Sequence, residues 1–495
     1  MDPRTPIIVG IAQANQRESE PEKREPIDLM RDRAQEAAQD AGCLSLVERA
    51  DTMGIMQGIW PYPDPGQLLK DRLSNAKART QVRPIGGNEG QDLILSSLDD
   101  IQAGRSDVVL VCSAETMRTR RSDQKAGRKT RYSDVSGDGD INHLFSRGNP
   151  MLSPHEAAAG MGPATVFYAM IENAIRHESR SSFAQHQDKI AKLWSSLSQV
   201  ASHNPHAWVR EPKTSEMIAQ KNATNRPITH PYPKWMTSNI DVDQSAALWL
   251  TSVETAQSLG IPRDRWVFPW SGVRTQDHWF PSQREHIHRS PAMRIGGRLA
   301  LEIANVQPES LDWIDLYACF PAAVQVAQTE IGISPDQVPS VTGGLTFFGG
   351  PFNSFTLHSV ARTVELARNE PNQIGFVSGV GGYFTKHSFG VYSATPPQTP
   401  YRFTSPQSEI DALPHRNEDA DFDGRVKIET YSIKYRKDGS PEFTIASGLT
   451  PEGARTWVRS EEPALAESCE TEDVCGMYAS VSAGRLRSFD GVGST

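Results

Sequence analysis

The stretch from Val82 to Glu115, VRPIGGNEGQDLILSSLDDIQAGRSDVVLVCSAE, constrains the fold more than any other part of the chain. Gly86 and Gly87 suit a sharp turn that residues with a Cβ resist, and Asn88 suits a helix cap, its side-chain oxygen accepting from free N–H groups. Ile94, Leu98 and Ile101 recur at helical spacing, Gly104 is a C-terminal stop, and Val108 to Val111 reads as a strand buried on both faces. Together these make a βαβ element, which aims whatever sits on its turn into a pocket.

The same alternation occurs elsewhere. Ile7 to Ile11 is a β-branched run, and Pro26 opens a helix with Ile27, Met30, Ala34, Ala37, Ala38 and Ala41 on one face and Gly42 as its stop. A second series has RSPAMRIGGRLALEIANV (289 to 306) as a long helix and WIDLYACF (313 to 320) as the next strand. Residues 150 to 235 are rich in Pro, His and Ala, with helices predicted over 164–177 and 183–202. After Val391, SATPPQTPYRFTSPQS places four prolines in sixteen residues, a linker composition. Beyond it, two β-rich segments between Arg425 and Ile445 meet at Asp438 and Gly439, and further strands are predicted near 455–458 and 477–481, giving a small barrel-like unit.

With 37% apolar and 22% charged residues, 495 residues can bury a large core, and a net charge of −9 argues against a general nucleic-acid binder. No apolar run approaches the roughly 20 residues that span a bilayer, and MDPRTPIIVGIAQ has no charged-then-apolar leader pattern. Five scattered cysteines fit reduced thiols, so a cytoplasmic location is expected. His203, His206 and His230 show no regular ligand spacing, so no metal site is expected, and the glycine-rich turns do not follow the dinucleotide spacing.

The Gly86–Gly87 segment resembles the part of the thiolase superfamily in which a reactive cysteine opens a buried helix, and AGRSDVVLVCSAETM matches the end of that pattern. Here the register carries Gly86 or Gly87, with no cysteine within twenty positions on either side. GGLTFFGGPFNSF (343 to 355) resembles the segment of the family's base, with Gly350 where a histidine is expected. VSGVGGYFTKHSFG (377 to 390) resembles the second family cysteine and its glycine-rich turn, placing Ser378 at or beside that cysteine. DLYACF resembles the HDCF motif of the sterol-carrier-protein type of thiolase; Tyr317 and Ala318 replace His and Asp, while Cys319 and Phe320 match. NPHAWVR (204 to 210) and the 226–250 segment, with Asp243 to Ala247, resemble the family's return into the core. The tail resembles the addition borne by type 1 thiolase-like proteins.

The resemblance implies an α/β, duplicated, five-layered αβαβα fold: one half from 1–118 and 236–272, a loop domain at 119–235, a second half at 273–395, and an added β-rich domain at 409–495. It implies an acyl-CoA acyltransferase of lipid metabolism acting on a coenzyme A thioester, with the usual Cys and His replaced, or else a non-catalytic acyl-CoA binding protein. It implies no permanently bound cofactor, and a monomer or homodimer. In the first reading Cys319 is the nucleophile, His387 its base and Ser378 the next candidate. Tyr317, Gly381, Gly382, Gly86, Gly87, Asn88 and Gly350 form the pocket, and the 379–382 turn holds the thioester oxygen. Each also has a bland reading: Cys319 as a buried structural thiol, His387 as a strand histidine, with His358 and Cys112 as packing. Arg118 to Arg131 holds seven Lys or Arg in fourteen residues and reads as an exposed loop, either simply solvated or a landing surface for coenzyme A phosphates through Arg118, Arg120, Arg121 and Lys125.

Overall fold

A computed structural model describes residues 1–17, 19–20, 22–134 and 149–490. Two five-stranded mixed sheets form the body. In the first the order is Pro6–Asn15, Asp243–Ser252, Val108–Thr116, Thr52–Met56, Arg79–Arg83. In the second it is Phe403–Thr404, Phe268–Gln276, Lys386–Ser393, Gly375–Gly381, Trp313–Asp315. Between the sheets lie the helices Glu89–Gln102 and Phe355–Asn369, whose Leu93, Ile94, Leu98, Leu357, Val360 and Val364 are buried in one apolar cluster with residues of both sheets. Helix Pro26–Asp40 covers the outer face of the first sheet, and helices Pro291–Ala304 and Pro321–Ile331 cover that of the second. The result is the five-layered αβαβα arrangement that the resemblance implies.

The small-residue face of the first outer helix has a direct cause: a Cβ at Gly10 would lie 2.1 Å from the Ala37 carbonyl oxygen, so helix and strand meet backbone to backbone. WIDLYACF is less regular than predicted. Only Trp313–Asp315 is strand, and the chain leaves the sheet at Leu316 before Pro321 opens the next helix. Helices Ala164–Glu178 and Phe183–His203 match the two predicted in the middle segment; the second opens with a capping box between Ser182 and Gln185.

Five tail strands close on themselves. Gly424–Tyr435 pairs with both Pro441–Leu449 and Tyr478–Ser482, and the ring is completed through Arg455–Ser460 and Arg485–Phe489. This barrel is not tethered through a loose linker, as the proline count suggested. Phe403–Thr404 pairs with Phe268–Gln276, and buried Tyr401 donates its hydroxyl to the Leu95 carbonyl at 2.9 Å. Proline forbids a helix there but permits an extended strand at a sheet edge. The barrel also grips the core through Arg455, which is fully buried. Its guanidinium pairs with Glu429 at 2.8 Å and donates to the carbonyls of Ser282 and Arg284 at 2.8 and 2.5 Å.

Candidate functional site

The turn before helix Glu89–Gln102 is where the thiolase-like register places a nucleophile. Gly86 and Gly87 are not in the left-handed region, contrary to the expectation of a glycine-dependent turn. What requires glycine is proximity: a Cβ on Gly86 would lie 2.6 Å from Lys386 Nζ, and one on Gly87 would lie 2.1 Å from the Tyr317 hydroxyl and 2.5 Å from the Val380 carbonyl. The Gly86 N–H donates to Asn353 Oδ1 at 2.9 Å, and Lys386 Nζ donates to Glu89 Oε1 at 2.8 Å and to the Ile85 carbonyl at 3.2 Å. Neither Asn353, Glu89 nor Lys386 was singled out by sequence reasoning. Asn88 opens the helix without capping it; its buried Oδ1 has no hydrogen-bond partner among the described residues and occupies the place of a side chain at Gly381, 2.2 Å from a Cβ built there.

Tyr317 is 8% exposed, packs edge-on against Phe355, and its hydroxyl has no hydrogen-bond partner among the described residues. Burial, helped by the neighbouring Cys319, pushes the phenol well above its ordinary range. Its backbone N–H donates to Ser378 Oγ at 3.1 Å, so Ser378 is an acceptor for the chain that carries Tyr317.

Among the described residues no hydrogen bond joins Cys319 to His387. Burial pushes the Cys319 thiol up to about 12, against the opposing influence of the Tyr168 hydroxyl and nearby backbone N–H groups, so it stays protonated at neutral pH. Along Lys386–Ser393 side chains alternate: Ser388 bonds the Asn88 carbonyl at 3.2 Å and Gln91 at 3.1 Å on the face of the buried helix, which sends His387 to the opposite face. There His387 Nε2 bonds Asp277 Oδ2 at 3.1 Å and lies 3.4 Å from Ser290 Oγ. The expected oxyanion turn is also redistributed. Gly379 and Gly381 belong to the strand Gly375–Gly381, and only Gly382, at φ 67°, is in the turn proper. Gly350 offers no side chain; its N–H donates to the Asn239 carbonyl at 2.8 Å.

Beside this segment lies a groove of about 660 Å³. It is lined by Ser238 and Asn239, which hold the backbone of Cys319 (3.0 Å) and Gly350 (2.8 Å), and by Trp208 and Trp235. Arg118, Arg121, Arg226 and Lys234 line it, with Asp241 as the single acidic neighbour. The basic stretch starts as a helix, Met117–Lys125, rather than a loop. Arg118 and Arg121, one turn apart, face Asp241 at 2.6 and 3.6 Å. Arg120 turns to the Ile59 carbonyl at 3.4 Å, and neither it nor Lys125 lines the groove. Arg226 and Lys234 come from RPITHPYPKW, where the excess of aromatic and basic residues was the available signal.

The histidines at 203, 206 and 230 do not gather: His203 is exposed, His206 faces Glu365 at 3.4 Å, and His230 is buried between the Phe183 and Tyr431 rings. His177, Asp473 and Cys475 do approach one another, but Arg176 pairs with Asp473 and supplies the positive charge a metal would bring.

Comparison with known proteins accords with this fold. A family model described as the thiolase-like protein type 1 additional C-terminal domain matches residues 406–484. The solved structure of a monomeric SCP2-thiolase-like protein type 1 from Mycobacterium smegmatis is similar over 98% of this chain and 99% of its own, at 27% identity and a TM-score of 0.85. Human mitochondrial 3-ketoacyl-CoA thiolase in complex with CoA is similar over 79% of this chain and 98% of its own, at 13% identity and a TM-score of 0.56. The Ltp2-ChsH2(DUF35) aldolase is similar over 79% and 98%, at 17% identity and a TM-score of 0.60. Comparison with curated protein sequences gave no match. Fold and comparisons define a protein built on the thiolase scaffold. The barrel refines that description: residues 406–484, which hold most of it, match the model of the thiolase-like protein type 1 additional C-terminal domain, and the whole chain is similar to a solved protein of that type.

Proposed function

We propose that the protein binds a coenzyme A thioester non-covalently, with the phosphates against Arg118, Arg121, Arg226 and Lys234 and the thioester end towards the Gly86–Gly87 turn. The observation that carries this reading is the groove itself: four basic side chains against one carboxylate, two indoles, and lining residues bonded to the backbone at Cys319 and Gly350. Guanidinium and ammonium groups give charge-assisted bonds to phosphate, and indole faces suit a flat base. A similar thiolase structure holds CoA, which supports the ligand class.

Acyl transfer through Cys319 and His387 is not favoured by this arrangement, because a thiol held near 12 and an imidazole engaged with Asp277 do not form a nucleophile-base pair. Incubation with acetyl-CoA followed by intact mass spectrometry, alongside calorimetry with CoA, tests both parts. Binding without a mass increase is expected. An acyl adduct on Cys319 would overturn the non-covalent reading, and absence of CoA binding would overturn the ligand class.

A further inference from the structure

Arg284 sits 4% exposed on the segment between strand Phe268–Gln276 and helix Pro291–Ala304. Its Nη2 donates to Thr385 Oγ1 at 2.9 Å, but Nε and Nη1 are buried without a hydrogen-bond partner among the described residues. The two nearby carboxylates are engaged elsewhere. Asp277 accepts from Ser290, from the Ala292 N–H at 3.1 Å and from His387 at 3.1 Å; Glu156 accepts from the Ser282 N–H at 2.6 Å and the Ser153 N–H at 2.8 Å. They supply a negative field to Arg284 without supplying acceptors for its idle donors. A buried guanidinium with unmet N–H groups is costly, and a carboxylate placed end-on would accept from Nη1 together with the second N–H of Nη2, meeting one of the two idle nitrogens.

The location gives that vacancy a meaning. The Arg284 guanidinium lies over Phe167 at 5.4 Å. Tyr168, the next residue, has its hydroxyl within electrostatic reach of Arg284, Cys319 and Tyr317. Tyr317 ends against Gly87. Tyr317 and Tyr168 thus stand between the Gly86–Gly87 turn and Arg284 in a chain of mutual electrostatic influence, and the rings of Phe320 and Phe384 lie 4.5 and 5.9 Å from that of Tyr168.

We infer that Arg284 receives the carboxylate at the far end of the acyl group, so that the ligand is the coenzyme A thioester of a dicarboxylic acid. This rests on the reading that a coenzyme A thioester occupies the groove, and the experiment separates the two. Calorimetry on the full chain would compare CoA with three length-matched pairs: succinyl- and butyryl-CoA, glutaryl- and valeryl-CoA, adipyl- and hexanoyl-CoA. In at least one pair the dicarboxylic thioester should bind at least about tenfold more tightly, because an unmet buried donor discriminates strongly between ligands that can and cannot pair with it. Arg284→Met should abolish that preference while CoA itself binds as before. If CoA binds and no pair shows a preference, the Arg284 assignment is wrong while the groove stands. If CoA does not bind, the groove reading fails and this inference with it. Should Arg284→Met not fold, Arg284→Lys keeps the charge but loses the two-pronged geometry. It should cut the preference at least about threefold, and an unchanged preference overturns the proposal.

Discussion

The Tyr317 hydroxyl lies where a side chain at Gly87 would begin, 2.1 Å from a Cβ built there. Two features that look separate in the sequence meet in space: a turn residue without a side chain, and a phenol from the other half of the core in the room a side chain there would need. Placing a cysteine at the turn is therefore not a simple way to give the site a thiol. Gly87→Cys should destabilise the protein by about 1–3 kcal/mol, the usual cost of overpacking. Tyr317→Ala in the same chain should recover only part of it, since the Val380 carbonyl remains 2.5 Å from that Cβ. Thermal melts decide this; wild-type stability for Gly87→Cys would show that the turn can move aside.

The groove predicts a split within the basic stretch. Joint charge reversal at Arg118, Arg121 and Arg226 should weaken CoA binding strongly, and the wild-type affinity should fall as salt rises. Reversal at Arg120 and Lys125, which do not line the groove, should change affinity little. Equal losses from both sets would mean that net charge, rather than this surface, governs binding.

Much of the layered core was legible because period and punctuation act locally. Ile94, Leu98, Ile101, Gly104 and the Val108–Val111 run each report their own environment, and together they fixed the buried helix and its following strand. The site was less legible because its geometry comes from long-range meetings. Nothing within the 86–88 turn announces that Tyr317, Asn353 and Lys386 converge on it from more than two hundred residues away. His387 illustrates the other difficulty: its imidazole is engaged by Asp277, 110 residues away along the chain, and nothing in its own motif announces that partner.

The tail should behave as part of the body. Arg455→Met would leave the Glu429 carboxylate without its partner. Burial alone would raise that carboxyl, and it is the Arg455 charge and hydrogen bonds, with Ser447, that hold it below its ordinary value. A loss of about 3–5 kcal/mol is expected, as for other broken buried pairs. In the wild-type chain, limited proteolysis should cut 393–408 no faster than the core, because Tyr401 and Phe403–Thr404 are docked on it. In Arg455→Met, faster cleavage near 281–285 is expected, where the guanidinium grips the carbonyls. Rapid cutting of the wild-type linker with an intact barrel released would contradict the docking.

Two buried histidines should make stability fall in mild acid. His358 bonds only Gln13, at 3.0 Å through Nδ1, and burial, with His206 nearby, lowers it to about 3; His230, also buried, is lowered to about 3 by burial and the neighbouring Lys221 and Arg176. In the unfolded chain each takes a proton near the ordinary histidine value, so below that value the unfolded state binds more protons than the folded one. Stability is then fully present above about pH 6.5 and is lost as the pH falls towards 3. Between pH 7.5 and 5.5 each histidine should account for roughly 1 kcal/mol. His358→Gln removes one titrating group, so whatever it does to stability at pH 7.5, the further drop on going to pH 5.5 should shrink by about that amount. Urea unfolding at the two pH values reads the difference directly. An identical drop in wild type and variant would show that His358 titrates alike in the folded and unfolded chains, and that its burial does not govern the acid response.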